Sequence, residues 1–149
     1  MINIVRGEIC SGADKIDFSS TSQVILSWVN RNNIKRINPV KGDVYFYESN
    51  DVNCNNVNTK CILKFWKGGI DTVALRRVKC LNNAGRSDNF GLAELKEEFT
   101  LLVQFVEAQM QRKPDRKSVR QCIWEKELFI IEVTFDPLSA EVAIFLFRK

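Results

Sequence analysis

Apolar positions along this chain change their spacing several times, and the changes divide it into elements. In DFSSTSQVILSWVNRNN, Val24, Ile25, Trp28 and Val29 fall on one helical face. Ser20 and Gln23 stand at capping-box spacing, where each side chain satisfies an orphan backbone N–H. Asn30, Asn32 and Asn33 end this first helix, because short amides favour turns. A longer helix is predicted over FGLAELKEEFTLLVQFVEAQMQRK, with Leu92, Leu95, Phe99, Leu102 and Val106 as its core stripe. Phe90 ahead of a capping Gly91 is placed to pack on Leu95, and Pro114 stops the helix. Glu94, Glu97 and Glu98 crowd its positive end, while Arg112 and Lys113 sit at its negative end.

Between and after the helices the period shortens to two. DVYFYE, Asp43 to Glu48, is aromatic and β-branched and reads as a strand. KCILKFWKGGIDTVALRRVKCL reads as a hairpin turning at Gly68-Gly69, since a tight primed turn needs positive φ. One limb alternates Cys61, Leu63 and Phe65 with Ile62, Lys64 and Trp66; the other sets Val73 and Leu75 against Ala74 and Arg76. The intervening SNDVNCNNVNT is polar and expected to be a loop, and NNAGRSDN is the next break. SVRQCIWE, ELFIIEVTF and AEVAIFLFR are the last three strands, with Asp136-Pro137 opening the final loop. The order is helix and three strands, twice (αβββ-αβββ), without sequence identity between the halves. The expected fold is α+β: one domain over residues 1–149, with an antiparallel sheet of about six strands and two helices on one face.

The last two strands raise a problem that this fold does not solve. One face carries Phe129, Ile131, Val133 and Phe135; the other carries Leu128, Ile130 and Thr134, with Glu132 as its only charge. The return strand is apolar on both faces, Val142, Ile144 and Leu146 against Ala143, Phe145 and Phe147. Two helices close one face. Sheet curvature, the N-terminal segment or a second protein must close the other.

Composition narrows the class. With 149 residues, 45% hydrophobic and 27% charged, the chain is long enough to bury a core without disulfides or metal. MINIVRGEIC has no basic segment leading into a long apolar run, and no apolar run approaches the ~18 residues of a membrane helix, so a soluble cytoplasmic protein is expected. Five cysteines lack the spacing of a zinc or redox motif and are expected as reduced, largely buried thiols. There is no histidine, which removes histidine-assisted nucleophiles and imidazole metal ligation. Asp14 and Asp17, and Glu125 and Glu127, are the paired carboxylates; nothing around them splits their pKa values as acid–base catalysis requires. The seven glycines form no nucleotide-binding loop. No catalytic residue, metal or cofactor is therefore expected. Trp28, Trp66 and Trp124 read first as core or rim aromatics.

Two basic clusters remain. RKPDRKSVR holds Arg112, Lys113, Arg116, Lys117 and Arg120; Arg76, Arg77 and Lys79 lie on the hairpin's return limb. As solvated turns they keep the surface soluble; as contacts they suit nucleic acid or an acidic protein surface. Net charge is only +4, acids lie nearby, and the run lacks the interleaved aromatics of single-strand binders, so nucleic acid is the alternative.

FTLLVQFVEAQMQRKPDR, IWEKELFIIEVTFD and AEVAIFLFR together resemble the ending of many small bacterial proteins: a helix, a Lys-Pro break, a lone Trp opening a strand and a final apolar hairpin. KIDFSSTSQVILSWV is similar to the opening of the same loose group. Several members are immunity proteins of contact-dependent or polymorphic toxin systems. The resemblance implies a cytoplasmic bacterial protein that binds and neutralises a toxin domain one to one, and it carries no contact residue across. This chain is basic, whereas immunity proteins against nucleases are acidic, so the implied target has an acidic face or is blocked away from its substrate cleft. The partner-contact candidates are Trp66, Phe145 and Phe147 as apolar anchors, with Arg116, Lys117 and Arg120 as rim charges. A homodimer seam on the final hairpin is the other expectation for that surface.

Overall fold

The computed structural model describes residues 1–37, 44–54, 57–66, 69–77, 91–139 and 141–149, with 35–37, 44–54, 57–59, 65–66 and 77 as backbone only. The fold is α+β with two antiparallel sheets. A small meander opens the chain: β1 (Ile2–Asn3), β2 (Glu8–Ser11) and β3 (Asp14–Ile16). Helix α1 (Ser22–Arg31) follows, then β4 (Lys35–Ile37), β5 (Val44–Cys54), β6 (Val57–Trp66) and β7 (Gly69–Arg77). Helix α2 (Leu92–Met110) leads into β8 (Arg116–Lys117), β9 (Gln121–Glu125), β10 (Phe129–Asp136) and β11 (Glu141–Arg148).

The main sheet runs β4-β5-β6-β7-β11-β10-β9-β8. Its six longer strands are the six expected, with short β4 and β8 added at the edges. Each half is a meander, and the halves join through their last strands, where Leu75 lies opposite Ile144 and Val73 opposite Leu146.

Alternation decides which side is dry. Cys61, Leu63, Val73, Leu75, Ile144, Leu146, Ile131, Val133, Cys122 and Trp124 are all buried on one face. Against it lie Leu95, Phe99, Leu102, Val103 and Val106 of α2, at the spacing of a single helical stripe. Burying each such side chain is worth roughly 1.5–3 kcal/mol. Phe99 and Phe135 meet with ring centroids 6.2 Å apart. Ile25, Trp28 and Val29 of α1 join the same core, as do Ile2, Ile4, Ile9, Ile16 and Phe18 of the N-terminal segment. Phe18 stacks on Phe129 at 4.9 Å, and Gly7 passes beside the pair at φ +66°. So the helices and the N-terminal sheet all close one face.

Several local expectations need correction. The N-cap of α1 is Thr21, not Ser20, and no side chain caps it. Ser20 Oγ instead accepts the Asp17 N–H at 2.9 Å, closing a turn ahead of the helix. Val24 and Leu92 lie off the buried stripes and are about half exposed. Most of SNDVNCNNVNT is not a loop: residues 49–54 and 57–59 form the far ends of β5 and β6, with a register shift between Ser49 and Val52, while Asn55 and Asn56 lie outside the described residues. Trp66 pairs with Gly69, so Gly69 is a strand residue, while Lys67 and Gly68, where the sequence places part of the turn, lie outside the described residues. The repeat is a helix and four strands in each half, preceded by the three short N-terminal strands, none of which the sequence reading anticipated. Phe90, Lys79, Cys80 and the NNAGRSDN break also lie outside the described residues.

Other expectations hold. Gly91 caps α2, and Glu94 accepts the Gly91 N–H at 2.9 Å, the reciprocal half of a capping box. The helix ends on Gln111 in the left-handed region at φ 53°, three residues before Pro114.

Candidate partner-binding face

Among the described residues no helix lies across the opposite face of the main sheet. Its middle is built from Phe145 and Phe147 of β11, whose rings stack at 5.5 Å and 12° and which are each half-buried. Register fixes their neighbours. Phe145 lies between Ala74 on β7 and Glu132 on β10, and Phe147 between Thr72 and Ile130. Beyond Ala74 comes Ile62 of β6, and beyond Glu132 comes Ile123 of β9. The strand order therefore makes an apolar band from β6 to β9, interrupted by Glu132, in which Ala74 and Ile123 are themselves buried and Ile62, Ile130, Phe145 and Phe147 are half-buried. This answers the question posed by the hairpin. Phe129, Ile131, Val133 and Phe135 are core, while half-buried Ile130, Phe145 and Phe147 face the other side, with no other described element over them.

Charges frame the band in pairs. Lys64 meets Asp71 at 2.9 Å and Arg76 meets Glu141 at 2.5 Å. Glu125 takes both Arg116 at 3.1 Å and Lys149 at 3.2 Å. All are at least partly solvated, so each contributes little to stability.

The anticipated contact residues are only partly brought together. Phe145 and Phe147 stand at the centre of the open face. Arg116 reaches its edge, because it lies opposite Ile123. Lys117, opposite buried Cys122, belongs to the other face by alternation. Arg120 is exposed in the turn between β8 and β9, where its carbonyl accepts the Phe135 N–H at 2.9 Å. Trp66 ends β6, paired with Val44 and Gly69; its side chain lies outside the described residues. Trp28 and Trp124 are core, and the Trp124 indole donates to the Arg112 carbonyl at 3.2 Å. That bond ties the segment after α2 to β9.

Sequence reasoning missed Glu132 as a site residue. Its signal was present, as the lone charge on one face of an apolar strand. Ile62, Ala74 and Ile123 were also missed, because their placement beside Phe145 depends on strand order.

Elsewhere the titratable groups serve structure. Asp14 makes a forked ion pair with Arg31, closest approach 2.8 Å. Burial pushes the Asp17 carboxyl up, but hydrogen bonds from Ser19 and Ser20 outweigh it and hold the group below its ordinary range. The Glu125 backbone N–H, 2.6 Å away, and the Arg112 guanidinium hold Asp115 low. Ser139 and the Leu138 N–H do the same for Asp136. Burial pushes the Cys122 thiol up, which keeps it protonated and unreactive. Among the described residues no cluster of carboxylates and thiols is arranged to hold a metal. The hollow beside the end of α2, lined by Gln104, Glu107 and Lys113 among others, is wide open to solvent. No described helix is long and apolar enough to cross a membrane.

No protein-family model, curated protein or solved structure matches this chain.

Proposed function

We propose that this chain is a non-catalytic binding protein that occludes a protein partner, most concretely a bacterial immunity protein that neutralises a toxin domain one to one in the cytoplasm. The observation that carries the proposal is the open sheet face. Both described helices and the N-terminal sheet are committed to the opposite side, yet half-buried Phe145, Phe147 and Ile130 lie on a face that no described element covers. A contiguous apolar surface on a folded domain marks an interaction site. Aromatic anchors inside a ring of charge are the usual anatomy of a tight protein interface.

The nucleic-acid alternative has less support. In the basic run, Arg112 pairs with Asp115, Lys113 with Glu107 at 2.8 Å, and Arg116 with Glu125. Pairing leaves Lys117 and Arg120 to serve phosphates, too few for strong counterion-driven binding.

The test is affinity capture from source cells at low and high salt, run side by side with the wild-type chain and Phe145→Ser. A captured protein is then made recombinantly and assayed for toxicity alone and with an equimolar amount of this chain. The expected result is a toxic partner, retained at high salt, neutralised at equal molarity and lost with Phe145→Ser. Nucleic acid released as salt rises, or a partner indifferent to Phe145, refutes the proposal.

A further inference from the structure

Glu132 stands in the middle of this face, and no described residue answers its charge. Its cross-strand neighbours are Phe145 and Ile123, and Ile130 and Thr134 flank it on its own strand. The residue is half-buried and makes no hydrogen bond or ion pair with any described residue. The acids around it are all matched: Asp71 by Lys64, Glu141 by Arg76, and Glu125 by both Arg116 and Lys149. The face therefore has an apolar middle, a rim of internally neutralised charges and one uncompensated carboxylate at its centre.

That pattern restricts what can cover it. A wholly apolar partner would strip water from Glu132 and give nothing back, which disfavours it. An acidic partner would add repulsion. A second copy of this chain fares no better. Self-association about a two-fold axis through the middle of the face would bring Glu132 towards its own counterpart, like charges in a dry seam. An arginine meets the site on both counts. Its planar guanidinium can pair with a carboxylate and stack on aromatic rings, here those of Phe145 and Phe147.

We propose that the open face receives a segment of a different protein that presents an arginine flanked by apolar side chains, with Glu132 as the counter-charge. This rests on the reading of that face as the partner site. It adds the partner's local chemistry.

The experiment pans a phage-displayed library of random linear peptides on the full-length chain, with counter-selection on Phe145→Ser. The strongest peptides are synthesised and their affinities measured by fluorescence polarisation. Thermal unfolding of each variant verifies folding, and Phe147→Ser replaces Phe145→Ser if the latter does not fold. Expected are sequences sharing an arginine beside aromatic or aliphatic residues. Their affinity should fall at least about tenfold on Glu132→Gln and stay unchanged on Glu127→Gln. Enriched peptides without a cation, no enrichment at all, or full affinity for Glu132→Gln would overturn the inference. Binding lost on Phe145→Ser but kept on Glu132→Gln removes the charge inference alone and leaves the face as a binding site. Binding kept on both variants removes both. Dimerisation in sedimentation equilibrium that Phe145→Ser abolishes would also overturn it, since the face would then belong to a second copy.

Discussion

Ile131→Ala and Phe145→Ala remove side chains from opposite faces of the same hairpin. Ile131 is fully buried between β9 and β11, opposite Trp124 and Leu146. Truncating a buried Ile loses its transfer free energy and leaves a cavity, about 3–4 kcal/mol here. For a domain of this size each kcal/mol lowers Tm by roughly 2–4 °C, so a fall of about 10 °C is expected. Phe145 is larger but half-buried, and its main partner is the Phe147 ring. Losing part of its burial and one ring stack should cost about 1–2 kcal/mol, roughly 3–6 °C. Thermal unfolding by circular dichroism, with urea midpoints as a second measure, separates the two. If Phe145→Ala costs as much as Ile131→Ala, the outer face is covered within the folded chain. The case for an open binding surface would then fail at its first step.

Three further outcomes follow from local geometry. Gly7→Ala should destabilise by about 1–3 kcal/mol, because its φ is +66° and a Cβ there would come within 2.8 Å of the Phe129 ring and 3.0 Å of the Phe18 ring; an unchanged urea midpoint would contradict this. Trp28→Phe should cost at least about 1 kcal/mol less than Trp124→Phe in the same assay, because the buried Trp28 indole N–H has no partner while that of Trp124 bonds the Arg112 carbonyl. Asp115 is held below its ordinary value of 3.8, so its contribution is fully present above that pH and disappears as pH falls through the lower folded value. Urea midpoints of Asp115→Asn should therefore lie below wild type at neutral pH and converge with it below about pH 3.8; a constant gap would show that the carboxylate's charge is not what matters.

What was legible in the sequence was whatever depends on local periodicity. The stripe Leu95, Phe99, Leu102 and Val106 marks α2 because a helix must bury one side. The alternation in β10 and β11 marks strands for the same reason. Elements held by distant partners were not legible. The outer halves of β5 and β6, residues 49–54 and 57–59, have poor β-propensity and are strands because they pair with each other across a register shift. The three N-terminal strands are two to four residues long, too short for a period to show. The cap of α1 was misplaced by one residue because Ser20 serves the Asp17 turn instead. For the candidate site, both faces of the hairpin were apolar, so spacing could not say which one the helices took. The basic run looked like a single patch, yet β8 points Arg116 and Lys117 to opposite sides.

The openness of the outer face follows from how the halves join. Each half is a helix and a four-strand meander, and the last strands, β7 and β11, lie side by side and antiparallel. Equivalent antiparallel neighbours in a sheet are related by a two-fold axis perpendicular to it. Such an axis turns the sheet in its own plane and never exchanges its faces. The helix of each half must then fall on the same side, as the shared core of Ile25, Trp28, Leu95 and Phe99 requires. Among the described residues one face is covered by both helices and the other by none. An antiparallel sheet tolerates this when its wet face is polar. Lys60, Lys64, Glu132 and Thr134 obey that rule. Phe145, Phe147 and Ile130 do not, and the fold gains less from them than from the core face, since no described element packs over them. Apolar side chains on a face that no described element covers are the reason to look for a stabilising partner outside this chain, and the proposed arginine is the charge that would match Glu132 among them.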